Sequence, residues 1–221
     1  MARPLHFIDQ FLRGVTGAAA RPIGAWQGLG VVCAGGMAYG AVMGAFGGWT
    51  GDRPLQIVFS ALKVPLLILV TTALAMPSFF VINTLLGLRD DFREAARAVA
   101  ATQAAVAVVL ASLAPYTALW YASTRDYHEA TLFNALMFGV ASVAAQWVLR
   151  RRYAAMIARN PRHRVMLRAW LVAYAFVGIQ MGWILRPFIG QPGRPVTFFR
   201  SDTWGNAYVV VFDSVMSVIG K

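Results

Sequence analysis

Five apolar stretches dominate this chain: residues 26–49, 64–88, 98–122, 130–149 and 169–185. Crossing the hydrocarbon core of a bilayer takes about 17–25 predominantly apolar residues in a helix. A soluble core helix of that length would carry a polar stripe on its outer face, and none of these does. The expected fold is therefore all-α and integral to a membrane: a bundle of five transmembrane helices with an amphipathic interfacial helix at each end. Only 13% of the 221 residues are charged, against about 25% in soluble domains.

Within the first stretch Gly36, Gly40, Gly44 and Gly48 fall four residues apart. On a helix this spacing strips one face of side chains. Another backbone can then approach closely, which is how helices associate where lipid removes the hydrophobic drive. These four glycines are the expected helix-packing residues. The pattern alone leaves open whether the partner helix belongs to this chain or to another.

Residues 55–88 are too long for one upright span and have no polar turn to make them two. Pro65 and Pro77 interrupt them. The reading adopted is an interfacial lead-in over 55–63, then a span over 64–88 kinked near Pro77, which neighbouring helices make tolerable. Before the first span, Leu5, Ile8, Phe11, Leu12 and Val15 recur at helical spacing and predict an interfacial helix over 5–15. After the turn-rich Gln191-Pro192-Gly193-Arg194-Pro195, a second apolar stripe over 207–219 is too short to span. The expected organisation is a bundle over 1–190 and an extramembrane tail over 191–221. Residues 1–20 lack the order of a cleavable signal peptide, so the first span is expected to target the chain.

The net charge is +11, and its placement predicts orientation. The N-terminus, the 89–97 segment and a basic loop at 150–168 fall on one side of a five-span plan. That loop holds Arg150, Arg151, Arg152, Arg159, Arg162, Arg164 and Arg168 with no acid between them. The 50–54 and 125–129 turns fall on the other side. Basic loops remain cytoplasmic, so the N-terminus is expected inside and the C-terminus outside a bacterial cytoplasmic (inner) membrane. The arginine loop suits anionic lipid. No helix-turn-helix or aromatic-rich basic module points to nucleic acid.

Ionisable residues inside a membrane mark function by default, and all nine acids lie outside the five stretches. That argues against a proton relay, a carboxylate cation site and general acid–base chemistry within the bundle. His6, His128 and His163 sit on different segments without metal-ligand spacing, Cys33 is alone, and no phosphate-binding glycine loop occurs. No catalytic, cofactor-binding or metal-binding residue is therefore expected, and no cofactor. Three residues stand out as polar or lipid-contact candidates. Lys63 is deep if the second span begins at Leu55 and snorkels at a boundary if it begins at Val64, the reading adopted; Arg186 is expected to cap the end of the fifth span, and Gln180 to lie inside it. Gln180, with Gln103, Asn134, Gln146 and Asn83, suits interhelical hydrogen bonding or, alternatively, the lining of a permeation path.

Lys63-Val64-Pro65-Leu66, Pro77-Ser78, Asn83 and Leu86-Gly87 form a set that extends to Gln180, Trp183, Arg186-Pro187-Phe188, Pro192-Gly193 and Trp204-Gly205-Asn206. The set resembles a pattern in uncharacterised bacterial polytopic membrane proteins. The five-span, N-inside plan is similar to that of the Yip1-like membrane proteins. The resemblance implies a role in membrane organisation or trafficking, with no catalytic residues. The function expected is that of a non-enzymatic packing or accessory subunit, bound to other membrane subunits or to copies of itself. The alternative is a small permease or channel subunit for an uncharged solute or an anion.

Overall fold

The computed structural model describes residues 24–48, 51, 53–191 and 193–200. The expected interfacial helices over 5–15 and 207–219 lie outside the described residues. Five α-helices follow in order: α1 (Ala25–Gly44), α2 (Arg53–Leu85), α3 (Phe92–Ser123), α4 (Tyr127–Arg159) and α5 (Arg162–Ile184), with a 3₁₀ turn at Arg89–Asp91 before α3. No strand occurs among the described residues. By length and composition, four helices are able to cross a membrane: α2, α3 with its 3₁₀ turn, α4 and α5. Helix α1 is not among these four. Its 20 residues measure about 30 Å, but glycine, Trp26 and Gln27 dilute its hydropathy.

Helix α1 lies between α2 and α3, which make little direct contact with each other. The glycines explain how it fits. A Cβ on Gly36 would stand 3.1 Å from the Pro65 nitrogen, and one on Gly44 would stand 2.8 Å from the Gln56 oxygen and the Ile57 Cα. At Gly40 it would collide with the Ser60 carbonyl oxygen and come within 2.9 Å of the Ala61 Cα. The helix across from this face is therefore α2 of the same chain. Gly48 is a correction to the expected set. The helix ends at Gly44, Gly47 and Gly48 take positive φ values of 88° and 99°, and a Cβ on Gly48 would meet nothing within 4 Å. Gly35, outside the four-residue ladder, faces the other neighbour: its Cβ would stand 2.7 Å from the Ala107 oxygen of α3. Buried Ala104, Ala105 and Ala107 keep that side thin as well.

The lead-in over 55–63 is also corrected. Residues 53–85 form one helix of 33 residues that runs through Pro65 and Pro77. Its buried residues Gln56, Ser60, Lys63, Val64, Pro65, Ile68, Thr71, Ala75, Phe79 and Asn83 make one continuous stripe. Steps of three and four residues keep them on one face. The polar members at the start of that stripe gave the sequence its interfacial look, but they are inside the bundle.

The basic loop at 150–168 is not a loop. Helix α4 continues to Arg159 and α5 starts at Arg162, leaving a turn of Asn160 and Pro161. Nor are all of these arginines without acids: Arg159 finds them on α3 and on the 3₁₀ turn before it. Arg159 Nη2 lies 2.5 Å from Glu94 Oε2 and 3.8 Å from Asp91 Oδ1, and fully buried His163 meets Asp91 Oδ2 at 2.9 Å. Arg162 donates to the Leu86 carbonyl. This end is closed by a core of Phe79, Leu88, Val99, Leu149, Met156 and Trp170. The other end has its own core, where Tyr39, Met43, Val64, Leu110 and Met137 meet. There a buried polar chain ties three helices together. Tyr39 donates to Asn134 Oδ1 at 2.9 Å, and Asn134 Nδ2 donates to the Tyr121 hydroxyl at 2.6 Å.

Candidate functional site

Arg53, Gln56, Ser60 and Lys63 recur at steps of three and four residues and share one face of α2. Opposite them runs the chain that follows α5. It leaves the helix at Leu185 and passes through a cis Arg186–Pro187 bond. Buried Leu185 and Ile189 anchor it to the bundle. Non-helical backbone at such a place needs partners for its carbonyls, because an apolar surrounding offers none. The face of α2 supplies them. Lys63 Nζ donates to the Pro187 oxygen at 2.7 Å. Gln56 Nε2 donates to the Phe188 oxygen at 3.1 Å and to Ser60 Oγ at 3.0 Å, and Ser60 Oγ itself donates to the Phe188 oxygen. Arg53 Nη1 donates to the Gly190 oxygen at 2.9 Å. Gly190 has to be small: a Cβ there would stand 2.7 Å from Arg53 Nη1 and 2.8 Å from Gln56 Cγ.

A cavity of about 680 Å³ opens beside this seam. Gln56, Gly190, Arg194, Thr197, Phe199 and Arg200 contribute to its wall. Two guanidinium groups, two amides (Gln56 and Gln191) and a hydroxyl stand against an aromatic ring, and no carboxylate is among the described lining residues. Lys63 Nζ also lies 4.8 Å from the centroid of the Phe198 ring, a distance at which a cation is attracted by the ring face. The pocket can hold an anionic group by charge-assisted hydrogen bonds. Among the described residues, no group of three or more His, Cys, Asp or Glu is placed to hold a metal ion.

The three singled-out residues take different places. Lys63 does not snorkel: it is fully buried, since its ammonium finds the Pro187 carbonyl inside the fold. The Arg186 guanidinium stacks 3.2 Å over the Trp183 ring centroid. Gln180 is half-buried on α5 and does not line the cavity. Of the other amides, Gln103 accepts from the Tyr174 hydroxyl at 2.8 Å. Sequence reasoning missed Arg53, Gln56, Ser60, Arg194 and Arg200 as a group. The signal for the first three was their helical register with Lys63. The two arginines follow a turn, and no periodicity announces them.

Comparison with protein-family models, with curated proteins and with solved structures finds no match to this chain.

Proposed function

We propose that this is a non-enzymatic accessory protein of a membrane assembly, and that the mouth formed by α2 and residues 186–200 is where it engages an anionic group of its partner. The observation that carries this reading is the seam. Four polar side chains of one helix face are committed to three backbone carbonyls, at Pro187, Phe188 and Gly190. Burying Lys63 and Gln56 is costly; the Lys63 ammonium and the Gln56 Nε2 are met by these bonds while Gln56 Oε1 has no partner, and the effect of the bonds is to hold a non-helical segment in one conformation. That segment leads directly into Arg194 and Arg200. A rigid display of two arginines is suited to recognition, because little side-chain and loop freedom is left to lose on binding.

The five-span plan belongs to this proposal. Helix α1 is long enough to cross and is threaded between α2 and α3. The ion pairs near Glu94, Arg159 and His163 gather one end of the bundle. The Thr124–Glu129 turn lies at the other end, where Tyr127 meets Phe46. With basic residues retained inside, the arginine-rich end is cytoplasmic and the seam faces outward. The Yip1-like resemblance points the same way, towards membrane organisation. The glycine face is covered by α2, so it is not the docking surface in this reading. The permease alternative finds little support in α2. Lys63 and Asn83 are 20 residues apart, about 30 Å, and buried Val64, Ile68, Ala75 and Phe79 fill the stripe between them.

The test is site-specific photocross-linking in intact membranes, with the probe at Val196 or Thr197 and a control at Leu132, which is 71% exposed on α4. The expected result is a discrete protein adduct from 196 or 197 that disappears in Arg194→Glu/Arg200→Glu. A protein that gives no adduct there and extracts gently as a lone monomer overturns the proposal.

A further inference from the structure

We infer that a second pocket, enclosed by α1, α2, α3 and α4 around Arg97 and Arg152, binds one anionic phospholipid of the surrounding bilayer. The inference rests on the membrane reading above but not on the outer seam. The pocket has a volume of about 680 Å³. It exists because α1 begins with small residues: Gly24, Ala25 and Gly28 line it and leave it unfilled. Deeper in, Leu29, Val32, Leu69, Ala101 and Ala104 give an apolar slot. Among the described residues, Arg97 and Arg152 provide the only charges of the lining, and Thr72 and Gln103 are its other polar side chains.

Charge complementarity names the occupant. Two of the acids of this end are already committed, Glu94 to Arg159 and Asp91 to His163 and Arg159, and neither they nor exposed Asp90 line the pocket. Arg152 is half-buried and its Nε is buried without a hydrogen-bond partner. Arg97 stands five residues into α3, and Arg152 seven residues before the end of α4. They are therefore set back from the charged helix ends by about 7 Å and 10 Å along the axes. Two guanidinium groups over an apolar slot match a phosphate with an attached acyl chain. Arginine binds phosphate through paired N–H donors, and the slot takes part of the chain. A phosphate without a tail would leave the slot empty, and a neutral lipid would leave the arginines without a counter-charge.

The test uses the full chain purified in mild detergent, with native mass spectrometry reading retained lipid. Phosphatidylglycerol, phosphatidylcholine and inorganic phosphate are supplied in parallel. Phosphatidylglycerol should be retained in one copy and in preference to phosphatidylcholine. Arg97→Gln/Arg152→Gln should weaken retention by about 30-fold, the combined weight of two near-surface basic residues. Arg150→Gln/Arg164→Gln, which removes the same charge from exposed positions, should leave it unchanged. Ala101→Phe, which fills the slot and keeps both arginines, should also lose the lipid; it carries the test if the arginine pair proves necessary for folding. Equal loss in the two double variants, equal retention of the two lipids, or displacement by equimolar inorganic phosphate overturns the inference. So does a protein that retains no lipid.

Discussion

Replacing Gly40 by alanine adds one methyl group at the closest approach of two helices. The new carbon would overlap the Ser60 carbonyl oxygen and stand 2.9 Å from the Ala61 Cα. Both obstacles are backbone, so no rotamer change relieves the clash, and α1 and α2 have to part. Overpacking costs about 1–3 kcal/mol, and the backbone contact places this case near the top of that range. Alanine recovers about 1 kcal/mol of helix propensity over glycine, leaving a net loss of about 2 kcal/mol. For a chain of this size that is a fall of roughly 4–8 °C in unfolding temperature. Two further glycines calibrate the experiment. Gly36→Ala, 3.1 Å from the Pro65 nitrogen, asks its neighbour to yield only slightly and should be close to neutral. Gly30→Ala meets nothing within 4 Å and should be neutral or stabilising. The assay is thermal unfolding of the detergent-solubilised protein, with size-exclusion chromatography on each variant. The expected order of unfolding temperature is Gly30→Ala, then Gly36→Ala, then Gly40→Ala. If Gly40→Ala or Gly40→Leu leaves the unfolding temperature unchanged but abolishes an oligomer, the glycine face packs between chains and the reasoning fails.

Lys63→Met keeps the length of the side chain but leaves the Pro187 carbonyl without its donor. Loss of a charge-assisted bond should cost about 1.5–3 kcal/mol and raise the labelling rate of a cysteine placed at Thr197; unchanged labelling would mean the seam does not hold the segment. Tyr39→Phe and Asn134→Leu should couple by roughly 0.6–2 kcal/mol in a double-mutant cycle of unfolding, and zero coupling would remove the polar chain across α1, α3 and α4 from the account. Asp126 caps α4, accepting from the Glu129 and His128 backbone amides at 2.9 Å and 2.7 Å. Those bonds, the Glu129 amide first, hold its carboxyl below the usual carboxylate range. A carboxyl lowered by folding stabilises above its unfolded pKa and ceases to do so as pH falls through the folded one. The stability gap between the protein and Asp126→Ala should therefore be constant near neutrality and close under acid; a gap that widens in acid contradicts the assignment. Arg159→Ala should cost no more than about 1 kcal/mol, because its pairing with Glu94 is exposed, and a larger loss of unfolding temperature would show that the cluster acts as a network.

How much could be read in advance differs from element to element. Helix character, the long apolar segments and the closeness implied by Gly36, Gly40 and Gly44 were all legible, because spacing along a helix is a local property. Lys63 was misplaced because a lone cation beside an apolar run is read as a boundary. Its true environment depends on the carbonyl of Pro187, more than 120 residues away. Arg159 read as part of an unpaired loop for the same reason: Glu94 and Asp91 come from α3 and the turn before it. Gly48 kept the four-residue period, yet a period does not announce where the helix ends.

The sequence by itself determined that this chain is helical, that it has long apolar spans, and that one helix presents a bare face. Those properties follow from backbone geometry and from the residues within a few turns. The tertiary structure decided what lies across from each face. It set α2 against the glycines, the chain after α5 against the polar end of α2, and Arg97 and Arg152 around one cavity. Each is a meeting of distant segments, set by how whole helices pack, and no local pattern encodes it.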